Sequence, residues 1–160
     1  MSPSSASPVI TDAQGLRHRG TITGPTGTYR VCALPARLNS SSILPRTTGV
    51  LYNISGRVDV GTDQGPTEEA TDPADVTLTI QPGTVLFGSA GNDYLAANRG
   101  SRLQAIGTET RPLIFTARAN IDGTATDSSQ GPRGGGILPG PAPTPYRKPS
   151  GGGRSAGGPP

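Results

Sequence analysis

The sequence predicts an all-β chain: a short right-handed parallel β-helix, a solenoid fragment, with disordered termini. Three observations lead there. Apolar and polar residues alternate in runs of about five, each cut by Gly, Pro, Asn or Asp. Similar segments recur at a fixed interval. Only 31% of the residues are hydrophobic and 4% aromatic, with no Trp. That composition cannot fill a thick core, but it can fill a thin ladder of Val, Ile, Leu and Ala. The 24 Gly and 17 Pro among 160 residues bring the chain near the range where low complexity is common.

Residues 1–28 are rich in Ser, Pro, Gly and Thr and have no periodicity, so they are expected to be disordered. A β-rich domain is expected over 29–130. Its first strand candidate is "YRVCAL", Tyr29–Leu34, and Pro35 and Pro45 punctuate the stretch after it. In "GVLYNISGRVDVG", Val58 and Val60 face one way and Arg57 and Asp59 the other, as in a half-buried strand. The acidic stretch from Thr62 to Asp75, with Pro66 and Pro73, reads as an exposed loop.

From Val76 a repeat is visible. "VTLTIQPGTVLFG", "YLAANRGSRLQAIG" and "PLIFTARANIDG" open at Val76, Tyr94 and Pro112, 18 residues apart at each step. Spacing of this kind means stacked units, none of which buries its apolar face alone. With 18-residue coils, Leu78 and Ile80 point inward. Leu95 and Ala97 lie above them, then Leu113 and Phe115, while Leu86 and Leu103 line a second face. Gly83, Gly88, Gly100 and Gly107 supply the corners. A small antiparallel β-sandwich with hairpins at the glycines is the alternative. A left-handed hexapeptide solenoid is not supported, because positions 92, 98 and 104 are Asn92, Asn98 and Gln104.

"VCALP", "YNISGRVDVGTD", "LTIQPGTVLFG", "YLAANRGSRLQAIGT" and "RPLIFTARANIDGTATDSSQG" together resemble a group of bacterial envelope or secreted proteins. These are described as hypothetical proteins or lipoproteins with a parallel β-helix-like repeat region. The resemblance covers Tyr29 to Gly131. It implies an extracellular or outer-envelope location and a non-catalytic structural or binding role. In that family the segment after "DSS" leads into a Trp-Gly-Gly strand and further coils. Here Gly and Pro make up 18 of the last 30 residues. The departure suggests a frameshifted or truncated product of a high-GC gene, which 13 Arg against one Lys fits. Residues 131–160 are then a disordered basic tail, and the last coil leaves an open edge for self-association.

Candidate chemistry is sparse. Cys32 and His18 are the only residues of their types, so no internal disulfide forms, and a thiol nucleophile would have a single candidate base. Carboxylates occur as Asp59 with Asp63, Asp72 with Asp75, and Asp93 beside Asn92. Clustered oxygens suit calcium, but Asp in turns more often bonds its own backbone. Arg99, Arg102, Arg111 and Arg118 fall in the repeat, where a ladder for acidic sugars and solvated strand faces would look the same. Tyr94 opens a coil, where it either stands exposed for a sugar to stack on or, as expected, packs at the edge of the core. Neither triple glycine, 134–136 or 151–153, has the context of a phosphate loop.

No catalytic, cofactor or metal residues are assigned. An enzyme is not expected; the alternative is a fragment of a carbohydrate-active β-helix enzyme without its catalytic coils. All the basic excess lies in the tail, with Arg133, Arg147, Lys148 and Arg154, so a nucleic-acid partner is not indicated. Envelope polysaccharide or a second copy are the expected partners. No apolar run is long enough for a membrane span, and the start "MSPSSASPVITDAQG" lacks the pattern of a signal peptide.

Overall fold

A computed structural model describes residues 15–65, 76–126 and the backbone of 136–139. The chain is all-β. A hairpin of β1 (Arg17–Gly24) and β2 (Gly27–Ala33) leads into β3 (Arg37–Leu38), β4 (Ser42–Leu44), β5 (Val50–Ile54) and β6 (Arg57–Val60). Then come β7 (Thr77–Ile80), β8 (Val85–Gly88), β9 (Tyr94–Ala97), β10 (Arg102–Ala105) and β11 (Ile114–Ala117). One helical turn, α1 (Arg118–Asp122), precedes β12 (Gly136–Pro139).

The strands form three sheets. The first has the order β1-β2-β5-β8-β11, the second β12-β9-β6-β3 and the third β10-β7-β4. From β2 onward the chain visits the first, second and third sheets in turn and then begins again. Apart from the antiparallel β1–β2 hairpin, the strands of all three sheets pair in parallel.

The core follows from period-2 alternation within this order. Inward residues stack in register: Tyr52 on Leu86 and Leu86 on Phe115 in the first sheet, Val58 on Leu95 in the second, Leu44 on Ile80 in the third. Leu44, Val58, Leu86 and Leu95 are completely buried. Tyr52 enters this apolar interior because its hydroxyl donates to the Pro45 carbonyl at 2.7 Å; burial pushes its pKa up. Toward β10 and β11 the packing thins. Leu103, Ala105, Leu113 and Phe115 are half-buried, and Ile106 and Ile114 are 75% and 44% exposed.

The 18-residue stacking is corrected. Val76, Tyr94 and Pro112 precede or open β7, β9 and β11, which belong to three different sheets. The true neighbours are Thr77 with Arg102 and Val85 with Ile114. Leu78 therefore stacks on Leu103, not Leu95. The 18-residue interval spans two strands, whereas a full turn takes three. Gly83 and Gly100 do sit at corners with positive φ, but Gly88 is the last residue of β8.

Two further corrections concern the ends. Residues 17–28, expected to be disordered, form β1, its turn and the start of β2. "TIT" supplies alternation, and Gly24-Pro25-Thr26-Gly27 closes a tight turn. Within the expected tail, the backbone of 136–139 pairs with β9; the rest of 131–160 lies outside the described residues, as do Asp72 and Asp75.

The hairpin builds a second apolar cluster on the outer face of the first sheet. Ile22, Val31, Leu51 and Phe87 pack there with Ile121 of α1. At the hairpin tip Gly24 lies so close to α1 that a Cβ would stand 1.8 Å from the Ile121 carbonyl oxygen. Gly123 ends α1 with φ 77° beside Pro25.

This packing is open to two tests. In a Cys32→Ala background, Thr79→Cys with Gln104→Cys should cross-link under mild oxidation, because these positions are paired neighbours. Thr79→Cys with Ala96→Cys, close partners in an 18-residue coil, should not; the reverse yields on a non-reducing gel would refute the three-strand turn. Gly24→Ala should destabilise the chain by about 1–3 kcal/mol, an ordinary cost of overpacking, read from urea denaturation. Gly20→Ala, where φ is 82° and a Cβ meets nothing within 4 Å, gives the cost of backbone strain without a clash for comparison; Gly24 is not among the positive-φ glycines, so its loss reads the clash.

Candidate functional site

Alternation along β3, β6 and β9 turns a polar face outward on the second sheet. Val58 and Val60 point in, so Arg57 and Asp59 point out, as the sequence indicated. Register brings Arg37 of β3 beside Asp59, and Tyr94 of β9 beside Arg57. Asp59 is only 6% exposed and is held by several donors. Arg57 Nε reaches its Oδ1 at 2.8 Å, Asn98 Nδ2 reaches the same oxygen at 3.2 Å, and Arg37 lies 3.7 Å from Oδ2. Asn98 also donates to the Gly61 carbonyl at 2.8 Å, tying the network to a corner. The Arg57 guanidinium lies over the Tyr94 ring, 5.9 Å from its centre, within cation–π range.

Asp63 and Arg99 extend this face as an exposed pair with two parallel hydrogen bonds. Together with the Gly65 amide, Arg99 lowers the Asp63 pKa to about 2. Three guanidiniums, Arg37, Arg57 and Arg99, thus stand against two carboxylates, and each of the three is at least two-fifths exposed. The face can offer donors to an extended polar ligand and a planar Arg–Tyr stack for it to lie on.

The other sequence candidates are dispersed. Asp93 is buried at the β8–β9 turn. Its Oδ1 accepts from the Gly56 amide at 2.6 Å and its Oδ2 from Ser89 and Ala90 at 2.6 and 2.8 Å. That carboxylate fastens two corners together, and its oxygens are engaged by N–H groups. Among the described residues no three His, Cys, Asp or Glu come together as a metal site.

The Arg ladder is corrected. Arg99 follows β9, Arg102 opens β10 in the third sheet, Arg111 bridges to Thr108, and Arg118 begins α1 beside Asp122. They sit on different sheets and connections, so they do not stack as a ladder. Cys32 and His18 do meet across the β1–β2 hairpin, with Nδ1 3.4 Å from Sγ. Arg30 Nη2 is also 3.4 Å from Nδ1. Because a guanidinium only donates, Nδ1 is the acceptor there. Cys32 itself is buried in the core.

Sequence reasoning missed Arg37, Asn98 and the Arg57–Tyr94 stack. The signal was present in the alternation of "RVDV", but pairing partners required knowing which strands share a sheet. No family model, curated protein or solved structure matches this chain.

Because the Asp63 pKa is depressed in the folded state, the stabilisation it carries is present above the usual value near 3.8 and is lost as pH falls toward 2. Carboxyl NMR titration should give an Asp63 midpoint about 2, and Arg99→Ala should return it toward 3.8. An unmoved midpoint in that variant would show that Arg99 is not the cause. Both groups are exposed, so the melting temperature should change little.

Proposed function

We propose that this chain is a short three-sided parallel β-helix acting as a non-catalytic structural or binding module. The cyclic visiting of three sheets by parallel strands supports the solenoid reading, and a right-handed sense accords with the rule for parallel crossovers. The resemblance to bacterial envelope proteins carries the location: the bacterial envelope or secreted space. The binding face is the outer side of the second sheet, and the ligand is an extended polysaccharide. The observation that carries the binding reading is the Arg37–Asp59–Arg57–Tyr94 constellation, a fixed array of donors and a stacking surface on rigid strands.

The absence of turnover in this proposal rests on the carboxylates. Glycoside hydrolysis needs a protonated acid paired with a second carboxylate at a set separation. Asp59, Asp63 and Asp93 instead turn their oxygens to guanidinium, amide or other N–H donors.

The test is co-sedimentation of the full chain with insoluble polysaccharides, followed by analysis of the supernatant for released sugars. Retention without release is expected, and a Tyr94→Ala, Arg57→Ala double variant should be retained at least about fivefold less, the scale of one or two lost contacts. Released oligosaccharide would overturn the non-catalytic reading and favour the enzyme alternative.

A further inference from the structure

A second polar site lies on the first sheet, away from the Arg–Tyr face. The ends of β8 and β11 and the segment through α1 enclose a cleft of about 310 Å³, at the lower end of ligand-sized pockets. Ser89, Arg118, Asp122, Thr124 and Thr126 supply its polar side chains. Its formal charge balances, with one guanidinium against one carboxylate.

Asp122 is fixed from one side. The Thr124 hydroxyl and amide bond its Oδ1 at 2.6 and 3.1 Å. These bonds hold the carboxyl below its ordinary pKa. Its Oδ2 faces Arg118 Nε at 3.7 Å. That separation is too long for a direct hydrogen bond, so Oδ2 keeps capacity to accept and the guanidinium keeps capacity to donate. An acceptor and a donor side by side match adjacent hydroxyls on a ring, one donating to the carboxylate and its neighbour accepting from the guanidinium. The Ser89 hydroxyl both donates and accepts, and the Thr124 oxygen, whose proton goes to Asp122, still accepts, which again suits hydroxyls rather than ions. Asn53 Nδ2 lies 3.5 Å behind the Ser89 hydroxyl and anchors the cleft to β5. The cleft wall is held independently of these groups, because Ile121 of α1 is embedded in the outer apolar cluster.

We infer that this cleft is a subsite for a neutral saccharide, with Asp122 and Arg118 reading a vicinal diol. The inference rests on the proposed polysaccharide binding and adds a second contact point and a ligand class.

The experiment is ¹H–¹⁵N shift mapping on the full chain with maltotriose, cellotriose, chitotriose and, as the anionic counterpart, trigalacturonate. A neutral trisaccharide should move the amides of Ser89, Arg118 and Thr124 at millimolar concentration. Asp122→Asn and Arg118→Ala should each weaken that binding by about tenfold, the scale of one lost charged hydrogen bond. Their unperturbed spectra outside the cleft establish that the fold is kept; if either spectrum collapses, Ser89→Ala takes its place, with a smaller loss expected. A preference for trigalacturonate, or binding that the variants leave unchanged, overturns the proposal. Shifts confined to Arg57 and Tyr94 overturn the cleft and leave the binding reading standing. If no saccharide moves any amide and no polysaccharide retains the chain, both fall.

Discussion

The described part of the fold depends on in-register packing of one apolar cluster shared by three sheets. Short strands from three sheets share one apolar cluster, and each turns about two side chains into it. Nearly all of those positions are apolar and lie in register with a neighbour along the sheet; Ser42, beside Leu78, is polar and donates its hydroxyl to the Ser40 carbonyl. Tyr52, Leu86 and Phe115 show the rule in one file, and Leu44, Ile80 and Ala105 in another. A slip of one residue in any strand reverses its faces; in β6 it would turn Arg57 and Asp59 inward and Val58 and Val60 to water. A chain with 31% hydrophobic residues can hold such a core because the core is a ladder and not a slab. The outward positions are then released from packing and can carry polar chemistry.

The corners are the weak points of such an arrangement, since backbone groups there leave the ladders. Specific side chains take over. Asp93 accepts three amides from two separate corners, Asn98 closes on Gly61, and the Tyr52 hydroxyl caps the Pro45 carbonyl. Among the described residues no buried side-chain nitrogen or oxygen lacks a partner. Orphaned buried groups would each cost about 1–3 kcal/mol, a large fraction of the stability of a domain this small. Several of the polar residues that look chemical in the sequence are therefore structural, and Asp93 is the plainest case.

What was legible in the sequence was local. Alternation in "RVDV" and "TLTI" told which residues face in, and glycines such as Gly83 and Gly100 marked corners. Pairing was not legible, because strand runs of similar composition recur on every sheet and β7, β9 and β11 resemble one another while facing different ways. The hairpin at β1–β2 was hidden by its polar composition; the apolar contribution of β1 is essentially Ile22, buried in the outer cluster with Val31, Leu51, Phe87 and Ile121. The candidate site divided along the same line. Arg57, Asp59 and Tyr94 were visible one by one, but Arg37 and Asn98 join them only through register.

The state of the carboxylates connects this architecture to the functional reading. A general acid at neutral pH needs an environment that disfavours charge, such as an apolar pocket or a second carboxylate close by. Strand faces and corners in this fold present the opposite environment, rich in guanidinium and amide donors. Asp63, lowered to about 2 by Arg99, is far from holding a proton near neutral pH, and Asp122 is shifted in the same direction by Thr124. The donors that hold these acids ionised also fix them in place. The same hydrogen bonds that satisfy the fold therefore also set the charge state and position of these two carboxylates.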